Sequence, residues 1–249
     1  MLKSRKWKIL VSIVSHGQTE LVNELIRDLE LQTFADFLII VRENIKVSDT
    51  LSSTTLPHIY TQNIKTCGFA ENHNKNYEIA QSQYFLILNP DIRITDKNFL
   101  EKYYKHVNEN KYEISAPRIS DKDGNTEESA RSFPTILSLL KKFFTKRIQN
   151  IDSLKLNVDS QVNWLAGMFI CFESHVYKNL KGLNEKYFLY YEDVDIGWRA
   201  QQRDYKSTYI PHLEVVHNAR RSSHTNWHFK KLHLSSMFRF LITKILKKT

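Results

Sequence analysis

The chain has 249 residues and a formal charge of +9, from 36 Lys and Arg against 27 Asp and Glu. An apolar fraction of 41% with 12% aromatic residues suits a globular core, and six glycines and five prolines exclude collagen-like and low-complexity chains. The positive excess points to an anionic partner: nucleic acid, an anionic membrane surface, or a phosphorylated substrate.

The N-terminus is basic and then apolar, but the apolar run Ile9–Val14 is too short for a secretory signal and alternates like a strand. No stretch reaches the length of a transmembrane helix. Cys67 and Cys171 form neither a CxxC pair nor a metal pattern, as expected of a reduced intracellular protein. A cytosolic chain with at most peripheral membrane attachment is expected.

In chain order, residues 8–15 ("KILVSIVS") read as a buried strand from their β-branched content. Residues 19–32 carry Leu21, Leu25, Ile26 and Leu29 at helical spacing, with Thr19 as a possible cap. Strands are expected at 36–43 and 57–62, a helix at 69–82 entered through Gly68, and a strand at 84–92 ending in Asn-Pro-Asp. This alternation implies an α/β fold with a mostly parallel sheet, whose ligand crevice lies beyond the carboxyl ends of the strands. Further on, the pattern predicts a helix at 96–110, a strand at 112–120, a helix from near Pro134 within 131–147, and an apolar strand at 162–172. A helix at 191–203, two short strands within 207–217, and a helical tail over 224–247 complete the chain. After Glu214 there is no acid, whereas Arg and Lys number eight. One α/β domain over 1–223 and a basic amphipathic tail over 224–249 are therefore expected. The apolar stripe of that tail suits either an anionic bilayer surface or packing against the domain.

Several residues could carry chemistry. Asp91, behind Asn89 and Pro90 at a strand end, could hold a divalent cation that neutralises a diphosphate, or could simply open a turn or cap the next helix. Glu192, Asp193 and Asp195 follow the aromatic run "YFLYY". Acids in a first helical turn favour the helix dipole, which accounts for one or two of them. A carboxylate beside apolar rings is also partly desolvated and so a stronger base near neutral pH. His217 ends "LEVVH" and could be a metal ligand or a structural histidine. Arg220 and Arg221 could contact phosphates or form an exposed basic turn. The single Gly68 makes no phosphate-binding motif, and no nucleic-acid-binding pattern accompanies the charge.

Taken in order, "VSIVSHG", "IIVREN", "GFAENHNKN", "LILNPDI", "RSFP", "VNWLAGMFICF", "YFLYYEDVDIGWR" and "VVHNARRSS" resemble the family-two inverting glycosyltransferases of bacteria, in particular the O-antigen rhamnosyltransferase group. The resemblance covers nearly the whole chain, from about Ile9 into the tail. It implies the GT-A fold, a Rossmann-like mixed, mostly parallel sheet flanked by helices, here with a C-terminal helical extension. It also implies transfer of L-rhamnose from dTDP-L-rhamnose onto a polyprenyl-diphosphate-linked N-acetylglucosamine for a surface polysaccharide. The alternatives are the same chemistry with a UDP-sugar donor (hexose or galactofuranose) and, outside enzymes, a basic nucleic-acid-binding module. By position, Ser15, His16 and Glu43 would line the nucleotide pocket, Glu43 standing where the family has Asp. Asn89 and Asp91 stand for the family's DxD, with Asn in place of the first acid, and Asp91 with His217 would hold Mg²⁺ or Mn²⁺. Asp193 corresponds to the general base, with Glu192 and Asp195 orienting acceptor or loop and the aromatics keeping water off the reacting hydroxyl. Arg131, Trp164 and Gly167 correspond to the acceptor side. After His217 the loop reads "NARRSS" where the family has a glycine-rich sequence. The implied location is peripheral, on the cytoplasmic face of the bacterial inner membrane.

Overall fold

The computed structural model describes residues 2–47, 51–134, 158–218 and 227–246. The expected helix beyond Pro134, and Arg220 and Arg221, lie outside them.

The first half is a run of right-handed units. Strand β1 (Lys6–Ser15) leads to α1 (Thr19–Glu30), then to β2 (Phe37–Glu43), β3 (His58–Gln62), α2 (Phe69–Tyr77) and β4 (Gln81–Leu88). Helix α1 buries Leu21, Val22, Leu25, Ile26 and Leu29 on one face, with Glu20 in its first turn and Arg27 in its last, both favourable to the dipole. The second half adds β5 (Ile92–Arg93), α3 (Phe99–Glu109), β6 (Ile114–Asp121), β7 (Ala130–Arg131), β8 (Ser160–Val162), β9 (Trp164–Leu165) and β10 (Phe169–Glu173). Helix α4 (Ser174–Asn179), helix α5 (Glu192–Gln201), strand β11 (Ser207–His217) and helix α6 (Trp227–Leu246) follow.

Nine strands form one sheet in the order β3-β2-β1-β4-β10-β6-β11-β5, with β8 also paired to β11. The pairs β3–β2, β2–β1, β1–β4 and β6–β11 are parallel, whereas β10 runs antiparallel to both neighbours. The central strands are apolar on both faces, Phe37–Val41 and Tyr84–Leu88 being buried throughout, because helices cover the sheet on either side. A second small sheet, β7–β9, sits beside it.

Four boundaries differ from the sequence expectation. Helix α2 stops at Tyr77, because Gln81 and Ser82 pair with Lys6 and Trp7 and extend β4 backwards. Strand β4 ends at Leu88: Asn89–Asp91 turn, with the Ile92 N–H donating to the Asn89 carbonyl, and β5 pairs with β11 instead. The single strand expected at 162–172 is broken at residues 166–168, where the chain changes partner. Ala166 continues the β7–β9 pairing onto Ser129, Met168 continues the β4–β10 pairing onto Asn89, and the Gly167 N–H between them leaves the ladder for Asp193. The two strands expected within 207–217 are one, with an irregularity between Ile210 and Glu214 around Pro211.

Two packed groups of apolar side chains result. The larger fills both faces of the sheet. The smaller joins Trp164, Tyr187, Tyr191, Val194, Trp198 and Phe240, and seats α6 on α5 and β9. Gly197 makes this possible: a Cβ there would sit 2.6 Å from the Trp164 Cβ. The tail helix is less one-sided than expected. Phe240 is 0% exposed, while Phe238 and Ile242 on the other side are 58% and 56% exposed. Among the described residues no helix is long and apolar enough to cross a membrane.

Candidate active site

The Asn89–Asp91 turn is held from behind and from the front. Behind it, Arg93 donates to both carboxylate oxygens of Asp28 on α1, at 2.7 and 2.9 Å, and the Ile94 N–H adds a third bond to Asp28 at 3.0 Å. In front, the Asn89 N–H donates to the Met168 carbonyl at 2.9 Å. Buried Pro90 bars any continuation of the strand. The Asp91 side chain therefore emerges beyond the end of β4 in a fixed direction.

Asp91 meets His217 there. The Asp91 Oδ2 lies 3.2 Å from His217 Nε2, and His217 Nδ1 lies 2.7 Å from Glu127 Oε2. Burial opposes a charge on this imidazole, but Asp91 and Glu127 outweigh it and raise its pKa to about 9. The other Asp91 oxygen, Oδ1, is buried without a hydrogen-bond partner. An orphaned carboxylate oxygen beside a histidine whose far nitrogen is gripped by a second carboxylate suits a divalent cation: Asp91 and His217 Nε2 as ligands, Glu127 orienting the ring. Glu127 is a site residue that sequence reading missed, lying after the Asp123-Gly124 turn with no motif to mark it.

The acid cluster opens α5, whose entry turn is unusual. Tyr190 and Tyr191 both have φ of 69°, a left-handed conformation that side chains rarely adopt. The turn is clamped by its approach to α2: the Phe69 N–H donates to the Phe188 carbonyl at 2.8 Å, and a Cβ on Gly68 would stand 2.8 Å from that same oxygen. The three acids then differ sharply. Asp195, 1% exposed, pairs with Arg199 at 2.6 Å, and Arg199 also donates to the carbonyls of Leu180 and Gly182, so Asp195 anchors a turn. Glu192 is 5% exposed with Oε2 unpartnered. Burial, with the Asp193 and Asp195 charges adding to it, pushes its carboxyl well above the ordinary range. Asp193 alone keeps partial access to solvent. Its Oδ2 accepts the Gly167 N–H at 3.1 Å and its Oδ1 the Val194 N–H at 2.8 Å. Burial raises its pKa too, opposed by those two donors and by the Arg131 charge. A partly desolvated carboxylate still reachable from outside is a good proton acceptor.

The aromatic run does not form the expected water-excluding wall. Tyr187 and Tyr191 are buried in the smaller apolar group, and Phe188, 46% exposed, is the most open of them. Trp164 is likewise turned inward, its indole N–H donating to the Ser132 carbonyl at 3.0 Å while the Arg131 guanidinium sits 5.5 Å from its ring centre. Residues 166–168 join the two halves of the site: Ala166 N–H donates to the Ser129 carbonyl at 2.7 Å, Gly167 to Asp193, and Met168 accepts from Asn89.

On the nucleotide side, Ser15 Oγ accepts the Gln18 N–H at 3.0 Å, and Glu43, 2% exposed, accepts the Gly17 N–H at 2.8 Å. Both carry out a loop-shaping job: Gly17, with φ of 74°, turns the chain after β1. His16 is exposed at the tip of this loop. Beneath it lies a polar network that sequence reading did not foresee. Asn44 brackets Cys67 in both directions at 2.8 and 2.9 Å, and Asn63 donates to Asn44 and Asn72. Asn76 donates to Ser12 Oγ, which is 2.7 Å from His73 Nδ1, and burial with the nearby Arg42 lowers the His73 pKa to about 3. Asn74 holds both the N–H and the carbonyl of Leu183. Asparagines at 72, 74 and 76 are poor helix formers, and their crowding into α2 was the one available signal. A surface cavity lined by Lys6, Tyr77, Ser82 and Lys178 opens at the opposite, N-terminal end of β4 and, of the site residues above, takes in only Asn74 and Gly182.

Known proteins resemble this chain in family and fold. The family model described as "Glycosyltransferase like family 2" matches residues 66–238. Rhamnosyltransferase WbbL of Escherichia coli (strain K12) is 27% identical over 251 residues, covering 95% of this chain and 93% of that protein. The N-acetylglucosaminyl-diphospho-decaprenol L-rhamnosyltransferase of Mycobacterium tuberculosis is 29% identical over 115 residues, 43% of this chain and 38% of that protein. Among solved structures, the mannosyltransferase PcManGT from Pyrobaculum calidifontis, in complex with GDP-Man and Mn²⁺, superposes with a TM-score of 0.63 at 13% identity, over 96% of this chain and 65% of that one. GalNAc-T7 with UDP, GalNAc and Mn²⁺ gives 0.60 at 14% identity, over 88% of this chain and 45% of that one. The chain thus spans less than two thirds of these solved structures, and the likeness to them establishes the GT-A fold.

His217 provides a direct check of the electrostatics. A histidine whose pKa rises on folding stabilises the fold fully below its unfolded value near 6.5, and that stability is lost as pH rises through about 9. In metal-free protein, NMR titration should find the His217 ring protonated until about pH 9. Glu127→Gln should move that midpoint down; an unmoved midpoint would contradict the assigned partner.

Proposed function

The chain belongs to the glycosyltransferase-like family 2, and from that premise we propose that it is an inverting enzyme that moves L-rhamnose from dTDP-L-rhamnose onto a polyprenyl-diphosphate-linked N-acetylglucosamine. The product would enter an O-antigen or another surface polysaccharide. The observation that carries the reading is the tie through residues 166–168 between a partly open base, Asp193, and the Asn89–Asp91 turn. Likeness to rhamnosyltransferase WbbL over 95% of this chain supports the sugar, and the mycobacterial relative's name supports the lipid-diphosphate acceptor.

The residues divide the labour as follows. Asp91 and His217 hold a divalent cation, with Glu127 fixing the imidazole tautomer. When bound, that cation offsets the charge that grows on the departing nucleoside diphosphate. The turn carrying Ser15, His16 and Glu43 shapes the nucleotide side, with Ser15 and Glu43 acting on the backbone. Asp193 takes the proton from the acceptor hydroxyl while the acceptor oxygen bonds to the anomeric carbon and the bond from that carbon to the diphosphate oxygen breaks. Attack from the face opposite the leaving group inverts the centre. Glu192, held towards its protonated form, leaves the Asp193 carboxylate as the single charge the hydroxyl meets. Arg131 steadies that charge from the acceptor side.

The assignment is tested by measuring nucleoside diphosphate release from dTDP-rhamnose and UDP-sugars, with a lipid-linked N-acetylglucosamine analogue, with and without Mg²⁺ or Mn²⁺. Release from dTDP-rhamnose with inversion at the new linkage is expected. Release from UDP-sugars alone would overturn the donor and leave the family intact.

A lipid-linked acceptor also calls for a membrane-facing surface. We assign it to α6, the helix of the proposed tail 224–249, working peripherally at the cytoplasmic face of the inner membrane. Its outer side carries Trp227, Leu234, Phe238, Ile242 and Ile245, all exposed, with Lys230 and Lys231 among the basic residues of the same helix. Apolar side chains with flanking cations suit an anionic bilayer surface. Phe238→Glu with Ile242→Glu should cut co-sedimentation with anionic vesicles severalfold while the fold persists, since neither side chain is buried. Undiminished sedimentation would rule this surface out.

A further inference from the structure

Well away from the catalytic crevice, three ligand-type side chains from three elements converge. His106 lies in the last turn of α3, Asp159 in the residues entering β8, and His212 in the irregular stretch of β11. Their nearest ligand atoms all lie within 4.8 Å of one another, the one such group of His, Cys, Asp or Glu among the described residues. His106 Nε2 is 2.5 Å from Asp159 Oδ2, which also accepts the Tyr112 hydroxyl at 2.6 Å. Asp159 Oδ1 lies 3.3 Å from His212 Nδ1, yet it is buried and makes no hydrogen bond. The two imidazoles stand edge to face with ring centres 4.6 Å apart.

We propose that His106, Asp159 and His212 form a second metal site, one that takes Zn²⁺. The donor set argues for this ion: two imidazoles and one carboxylate suit zinc, whereas Mg²⁺ and Mn²⁺ prefer oxygen. The spacing argues for it as well. With bonds of about 2.0–2.1 Å, a tetrahedral ion separates its ligands by about 3.4 Å, close to the gap between Asp159 Oδ1 and His212 Nδ1. Loading exchanges the His106–Asp159 hydrogen bond for two metal bonds, and the proton between His106 Nε2 and Asp159 is displaced from the bond axis by the ion. The orphaned Asp159 oxygen gains a partner. His212, 46% exposed, provides the way in from solvent and leaves the fourth position to water.

The irregularity of β11 gains a reason from this reading. Residues 211–213 have no partners in the register with β6, and this interruption leaves His212 exposed between the buried Pro211 and Leu213. A bulge of this sort re-aims a side chain that a regular ladder would not deliver. Neither Asp91 nor His217 belongs to this group, so the site does not share the donor cation. Its role is a clamp: the ion ties the entry to β8 and the middle of β11 to the end of α3.

The test uses tag-free full-length protein carrying Asp91→Asn and His217→Asn, which removes the catalytic cation site. Titration with Co²⁺ should produce the intense visible bands of tetrahedral coordination at one equivalent, and Zn²⁺ should abolish them by displacement. Adding His212→Ala, or separately His106→Gln, should weaken Zn²⁺ binding at least tenfold against a chromogenic chelator and remove any rise in Tm on adding Zn²⁺. Circular dichroism and metal-free Tm, compared with the protein lacking the added substitution, establish that the variants fold. Absence of stoichiometric binding, or binding indifferent to both added substitutions in folded variants, would overturn the proposal.

Discussion

The Gly167 N–H donates to the Asp193 carboxylate, and the residues on either side are committed as well: Ala166 to Ser129, Met168 to the Asn89 turn. Ala166 still pairs with the β7 side and Met168 with the β4 side, so the chain passes from one partner strand to another at Gly167, whose N–H is free for Asp193. Three consecutive residues thereby connect the β7 strand, the acid-bearing helix and the cation-side turn. Hydrogen bonds to a charged group contribute about 1.5–3 kcal/mol each, so the Asp193 contact holds position as well as charge. Gly167 is not there for lack of room, since an added Cβ would meet Phe69 and Asp193 at ordinary contact distances of 3.6 and 3.8 Å. What the position supplies is an N–H left over where the chain passes from one partner strand to the other.

The same economy governs α2. Each of its asparagines reaches a different part of the chain: Asn72 the 67–68 turn, Asn74 residues 183 and 185, Asn76 the middle of β1 through Ser12. Buried amides are costly unless satisfied, and each of these three has a partner for its side-chain amide. Helix α2 therefore positions both the nucleotide-side loop and the turn leading to the acid cluster. Gly68 completes the arrangement by letting the Phe188 backbone come within contact of the helix start.

Much of this was legible in the sequence, for identifiable reasons. The doubly buried strands announce themselves as continuous apolar runs, and the order of "LNPD", "EDVD" and "VVH" marks the family. Asp91 and His217 are found together because both end strands on the same side of the sheet. What could not be read is what long-range pairing decides. Glu127 reaches His217 across 90 positions, and nothing local distinguishes it from Glu128. The aromatics of 187–191 looked like a wall over the chemistry because periodicity does not say which side a turn faces; two left-handed tyrosines turn the run inward onto Phe240. The break at 166–168 was hidden for a similar reason: its residues are as apolar as a strand's, and only their distant partners reveal it.

The central claim is that Asp193 is the base, while its neighbours serve the fold. Its most direct test is Asp193→Asn, a substitution that keeps size and removes the charge, assayed by single-turnover transfer alongside calorimetric binding of the donor nucleotide. General-base assistance is worth ~10²–10⁴ in rate, so transfer should fall by at least a hundredfold while nucleotide binding stays within a few-fold. Turnover near that of the unaltered enzyme, with the variant folded, would contradict the account.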